Sequence, residues 1–138
     1  MALATAVQSA LSGMAAAEAS ISVIANNMAN ANTNGFKASK VDLATQPPQT
    51  LGLGAAPSGT RGGTNPVQMG RGVSVEGISM DDSPGPLGPD GLELSNTDIA
   101  HSIVQLNADA NLYVANLRVL DTATELLDEL VLLGRPAD

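Results

Sequence analysis

The chain has no cysteine and no tryptophan, and only one phenylalanine, Phe36, and one tyrosine, Tyr113. Without cysteine there are no disulfides, no zinc-thiolate sites and no thiol catalysis. Without the large aromatic fillers, a conventional globular core lacks its usual bulk. Basic residues are scarce: six Lys and Arg stand against fourteen Asp and Glu, for a net charge of −8. The six do not cluster, which argues against a nucleic-acid partner held by phosphate neutralisation and disfavours an anionic membrane surface. No apolar run reaches the roughly 18 to 20 residues of a membrane-crossing helix. The first basic residue is Lys37, and the early apolar positions are interrupted by Gln8, Ser9, Ser12, Glu18, Ser20 and Ser22. That start does not read as a secretory signal, so if the protein leaves the cytoplasm it is expected to do so by a route that does not read one.

What the chain does have is a pair of heptad-patterned ends. From about Ala2 to Asn30, apolar residues recur at Val7, Met14, Ile21 and Met28, and at Leu3, Ala10, Ala17, Ile24 and Ala31. From about Asn96 to Leu133 they recur at Ile99, Leu106, Tyr113, Leu120 and Leu127, and at Ile103, Ala110, Leu117 and Val131, with Thr124 the polar exception. A repeat of seven alternating threes and fours is the seam of a coiled coil. The first segment holds no proline and one glycine, Gly13; the second, from 96 to 133, holds neither. Each therefore reads as one long helix, of roughly 40 Å and 57 Å at about 1.5 Å per residue. Ser95 or Asn96 is expected to cap the helix start, with Asp98 in the first turn where the helix dipole favours an anion, and Gly134 and Pro136 supply a stop.

Charge separates the two helices. Glu18 is the only charged side chain before Lys37, whereas Asp109, Asp121, Glu125, Asp128 and Glu129 crowd the outer side of the second helix against Arg118. A surface helix normally carries charge opposite its apolar stripe. The Ala, Ser, Thr and Asn of the first helix instead suit one enclosed by neighbours.

Between the ends lies a segment, 38–94, with 11 of the 14 glycines and 7 of the 8 prolines. Ala44 to Gly63 reads as loop, Lys37–Leu43 and the alternating Val73, Val75 and Ile78 as a small β-hairpin, and Asp81–Gly91 as a rigid connector. Because this middle returns the chain, the expected fold is mainly α: two long terminal helices paired as an antiparallel coiled-coil hairpin, with a Gly/Pro-rich middle. The divisions are 1–36, helix and Asn-rich turn; 37–94, middle with short strands; and 95–138, second helix. The first and last together form one helical domain. In this register Leu117 is a buried seam residue, and Leu117→Asp is expected to break the pair.

Catalytic constellations are missing. His101 is the sole histidine, on the outer side of its helix, with Asp98 three residues before it and no second ligand. Asp81-Asp82 is followed by Ser83-Pro84, which breaks a calcium-loop pattern. Gly59-Thr60-Arg61-Gly62-Gly63-Thr64 lacks the lysine and following helix of a phosphate loop. No cofactor, metal or small-molecule substrate is expected.

The Asn-rich end of the first helix carries a resemblance. Ser12-Gly13-Met14, then Ile21 through Lys37 with Asn26, Asn27, Asn30, Asn32, Asn34, Gly35 and Phe36, resembles the N-terminal signature of the bacterial flagellar rod and hook family. Asn34-Gly35 is also a strong turn signal, with Phe36 as its anchor. Asn96 and Asp98, then Tyr113 and Asn116, resemble that family's C-terminal signature. The short length and the Pro89-Asp90-Gly91 connector look like its small proximal rod members, while Gly63–Val73 resembles the distal rod and hook members. Leu112 and Val114 replace polar residues usual beside the tyrosine.

The resemblance implies a structural component of the flagellar basal-body rod. Such a protein polymerises through its terminal helices into a torque-transmitting axis, with the helix-pairing seam at Val7, Met14, Ile21, Ile24, Met28, Ile99, Ile103, Leu106, Tyr113, Leu117, Leu120 and Leu127. It implies partners among copies of itself, other rod and hook proteins and the flagellar export apparatus, and a place in the periplasmic rod. Two other classes stay open: an adaptor or regulator binding axial proteins outside the lattice, and a glycan-cleaving enzyme built on a carboxylate pair such as Asp81 and Asp82.

Overall fold

The computed structural model describes residues 2–51 and 67–134. Gly59–Thr64, the first four residues of Gly63–Val73 and Pro136, named above, lie outside the described residues. Two helices and four strands follow in the order α1 (Ala2–Ala29), β1 (Ser39–Thr45), β2 (Gln49–Leu51), β3 (Val67–Met69), β4 (Val73–Met80) and α2 (Ile99–Leu133). The architecture is mainly helical, a helix hairpin with a small β-structure at its side.

Helix α1 runs 28 residues because nothing within it breaks the backbone pattern. It ends where asparagine side chains compete with the helix for backbone partners. Asn30 Nδ2 donates to Asn26 O at 3.0 Å, Thr33 N to Asn30 O at 2.9 Å and Phe36 N to Thr33 O at 3.2 Å. Gly35, at φ 70°, completes the turn in a conformation glycine adopts without strain.

Strands β1 and β4 pair antiparallel from Ser39↔Met80 to Thr45↔Val73. The register passes from Asp42↔Gly77 to Leu43↔Val75, so Glu76 is the extra residue of a β-bulge. The bulge keeps Val41, Ile78, Leu43 and Val75 on one face, as the alternation requires. Pro47-Pro48 interrupts the ladder, and β2 and β3 resume it as a separate antiparallel pair. The structure thus corrects the loop reading of Ala44–Gly63: Ala44–Thr45 and 49–51 are strand. The connector also has internal order. Gly88 N donates to Leu92 O at 2.8 Å, Leu87 bridges Glu93, and Gly91 turns at φ 72°.

Helix α2 begins three residues after Asn96. Asp98 is its N-cap, accepting from His101 N at 3.0 Å, and is therefore not a first-turn residue. Asn96 is unavailable for capping because its amide is engaged elsewhere. At its other end, Gly134 N donates to Leu130 O at 3.1 Å. The helices run antiparallel: Gly13 meets Asn116, and Ser20 meets Asp109.

The core between them is thin. Its buried apolar residues are Ala10, Ala16, Ala17, Ile24 and Ala123, and no large side chain among the described residues is fully buried.

Candidate functional site

The helix interface is built from small residues on α1. Ala10, Ala17 and Ile24 form one buried row, and Ala16 lies beside it. Val7, Met14, Ile21 and Met28 flank the interface half-buried. On α2, Leu106, Tyr113 and Leu120 are half-buried, while Ile99 and Leu127, at the ends of the same row, are exposed.

The second α2 row differs from the sequence expectation. Ile103 and Leu117 are 45% and 42% exposed, so neither is a buried seam residue. The row beside Leu106, Tyr113 and Leu120 is Ser102, Asp109, Asn116 and Ala123, of which Ser102, Asp109 and Ala123 are buried. The physical reason is on α1. Opposite that row stand Gly13, against which the Asn116 amide packs closely, Ser20, which hydrogen-bonds Asp109, and Asn27.

Three rungs show this. At Gly13, an added Cβ would stand 2.6 Å from Asn116 Nδ2, so the Asn116 amide lies directly against the glycine backbone. At Ser20, the hydroxyl donates to Asp109 Oδ2 at 2.5 Å, and Gln105 Nε2 donates to Oδ1 at 3.1 Å. Asp109 is only 7% exposed, and both its oxygens are satisfied. At Asn27, the side chain shares one hollow with Ser102. The signal was present in the sequence: Gly13, Ser20 and Asn27 are seven apart, as are Ser102, Asp109 and Asn116.

Asn27 also anchors the hairpin. Its Nδ2 donates to Ser39 O at 2.6 Å and its Oδ1 accepts from Ser39 N at 2.9 Å, fixing the first residue of β1 to the helix. Asn26, its neighbour in the motif, is exposed, as are Asn32 and Asn34; Asn30 and Phe36 are half-buried. At the other end of the hairpin, Ser12 Oγ accepts from Val73 N at 3.2 Å, and Gly72, at φ 86°, lies against Ser9 and Ser12.

A second knot joins three segments. Asn96 Oδ1 accepts from Ala38 N at 2.7 Å, while its Nδ2 donates to Asp81 O at 2.8 Å and Ser83 O at 3.0 Å. Lys37 Nζ donates to Ser83 O at 2.8 Å and pairs with Glu93 Oε1 at 2.6 Å. Glu93 Oε1 also accepts from Gly85 N at 2.6 Å. The Lys37 hydrogen bond, then the Gly85 amide, hold the Glu93 carboxyl below its ordinary pKa. Asp81 is likewise lowered, by the Ser83 hydroxyl and then the Ser83 amide. The Lys37–Glu93 pair was not foreseen, because 56 residues separate its members.

Between the helix pair and the hairpin lies an open cleft of about 370 Å³, lined by Ala16, Ala17, Leu112, Val41, Leu43 and polar groups including Asp109. Among the described residues no group of His, Cys, Asp and Glu is placed to hold a metal ion. No described helix is long and apolar enough to cross a membrane. His101 is exposed at the start of α2.

Residues 8–37 match the family model of the flagella basal body rod protein. The chain is 46% identical over 66 residues to the flagellar basal-body rod protein FlgG of Bacillus subtilis, covering 48% of this chain and 25% of that protein. It is 37% identical over 92 residues to the flagellar hook protein FlgE of Treponema pallidum, covering 67% of this chain and 19% of that protein. With the hook protein FlgE of Borreliella burgdorferi, identity is 39% over 70 residues, covering 51% of this chain and 16% of that protein. The chain thus spans a quarter or less of the length of these relatives.

Proposed function

We propose that this chain, a relative of the flagellar basal-body rod and hook proteins that carries the rod signature at residues 8–37, is a structural subunit of the basal-body rod. In this reading its terminal helices polymerise with copies of itself and with other rod and hook proteins into the torque-transmitting axis. The domain division follows: 1–36 with 95–138 as the axial unit, and 37–94 as the appended middle. In this reading the subunit reaches the periplasmic rod through the flagellar export apparatus.

One observation carries the reading. The helix pair buries mostly alanine, while α2 leaves Ile103, Val104, Leu112, Val114, Leu117, Val119 and Leu126 exposed, and α1 leaves Leu11 exposed. An array of large apolar side chains over one helix, with so little core beneath it, marks a surface that neighbours cover. On α1 the exposed side is uncharged apart from Glu18, so close helix approach carries no desolvation of charge. Head-to-tail contacts between such surfaces generate an open helical filament.

The test is a Leu117→Asp subunit expressed in flagellated cells. Because Leu117 is exposed, the helix pair should change stability by no more than about 0.5 kcal/mol, yet the subunit should vanish from purified basal bodies and motility should fail. Incorporation at wild-type level would refute polymerisation through this face. The exposed surface also suits an adaptor that binds axial proteins outside the lattice. Copy number separates the two: several copies per intact basal body support the rod subunit, and absence from basal bodies supports the adaptor.

A further inference from the structure

Positions spaced seven residues apart face each other across the helix pair, and at two of them the side chains meet the opposite helix directly. Ala6 and Ala123 line one hollow, Gly13 lies against Asn116, Ser20 donates to Asp109, and Asn27 shares a hollow with Ser102. Each step of seven along α1 is met by seven back along α2. We infer that these polar and small rungs, with Ser20–Asp109 as the principal one, select the register in which the helices pair. The inference concerns the pairing of the two helices and stands apart from the proposed function.

Apolar residues alone do not select it. In both helices they repeat every seven positions, so sliding α2 by one heptad returns apolar groups to apolar groups. The rungs respond differently. Slid one way, Asp109 comes opposite Gly13, which has no donor to give. Its buried carboxylate then lacks one of its two partners. Slid the other way, Asp109 comes opposite Asn27, whose amide and carbonyl are already committed to Ser39. Asn116 then meets Ser20 or Ala6, whose Cβ atoms occupy the space that only Gly13 leaves open. A single polar pair in an apolar seam commonly specifies register at some expense of stability. Here the pair is a carboxylate and a hydroxyl on different helices.

Because the chain has no cysteine of its own, introduced pairs report the register cleanly. Ala6→Cys with Ala123→Cys reports the observed register, and Ala6→Cys with Leu130→Cys reports a slip of one heptad. Full-length protein carrying either pair is refolded from urea under reducing conditions and then oxidised. In the otherwise wild-type chain the observed-register pair should cross-link at least tenfold more than the slipped pair. Asp109→Ala should raise the slipped cross-link at least tenfold. Exchanging the rung, Ser20→Asp with Asp109→Ser, should restore most of the wild-type ratio, since the hydrogen bond between the helices is kept and only the Gln105 bond to Asp109 is lost. An Asp109→Ala chain that keeps the wild-type ratio, or an exchanged chain that does not recover it or does not fold, would overturn the inference.

Discussion

Two adjacent asparagines at the end of α1, identical in chemistry, should differ sharply in what their loss does. Asn27 is 6% exposed and makes two hydrogen bonds to the main chain of Ser39. Replacing it with alanine removes two bonds worth about 1 kcal/mol each. It also strands the Ser39 amide and carbonyl, which do not point toward β4, beneath the hairpin. Ser39 is half-buried, so water recovers part of that loss. The expected total is about 2 to 3 kcal/mol for Asn27→Ala, whereas Asn26→Ala, at an exposed position, should stay within about 0.5 kcal/mol. Urea unfolding followed by helical circular dichroism measures both. Hydrogen exchange at the Ser39 amide localises the effect, with protection lost in Asn27→Ala and kept in Asn26→Ala. Asn27→Asp adds a sign test. It keeps an acceptor for the Ser39 amide but turns a carboxylate oxygen toward the Ser39 carbonyl, so near neutral pH it should do no better than alanine. If Asn27→Ala costs no more than Asn26→Ala, the hairpin is not held to α1 through this side chain.

Glycine positions divide in the same way. Gly72→Ala should destabilise strongly, because its Cβ would come 2.0 Å from Ser12 Oγ and 3.1 Å from Ser9 Cα at φ 86°, whereas Gly35→Ala, with open space around it at φ 70°, should cost only about 1 kcal/mol of backbone strain; urea midpoints rank the two, and equal midpoints would contradict the close approach at Gly72. The lowered Glu93 pKa has a definite sign. Its folded value lies below its unfolded one, so its contribution is full above the ordinary carboxylate range and is lost as pH falls through the folded value. Stability should therefore decline on acidification, and Glu93→Gln should flatten that decline in a series of urea midpoints against pH, with no flattening as the contrary result.

The helices were legible because proline and glycine are nearly absent from them, and β1 and β4 because Val41, Leu43, Val73, Val75 and Ile78 alternate. The exact second row of the α2 interface was not. Apolar periodicity favours Ile103, Ala110 and Leu117, and a buried aspartate contradicts the rule that charge faces outward. Asp109 escapes that rule only because Ser20 and Gln105 satisfy both its oxygens, a fact of pairing that neither helix shows alone. The knot of Lys37, Asn96 and Glu93 was hidden for a related reason. Its members come from the two ends of the Gly/Pro-rich middle and the residues beside them, and no local pattern joins them. Asp98 caps the helix instead of standing in its first turn because Asn96, an equally good cap by residue type, commits its amide to Ala38, Asp81 and Ser83.

That knot also makes the hairpin a side branch. Ala38 O accepts from Asp81 N at 2.8 Å, so the chain departs for the hairpin and returns from it at one point. Whatever lies between those residues begins and ends in the same place. Lengthening the branch leaves the spacing of α1 and α2 untouched, and in general each doubling of a loop's length adds only about 0.6 kcal/mol of closure entropy. Beyond its anchors on α1 at Ser39, Gly72 and Val73, the branch can thus change in length while the two helices keep one geometry.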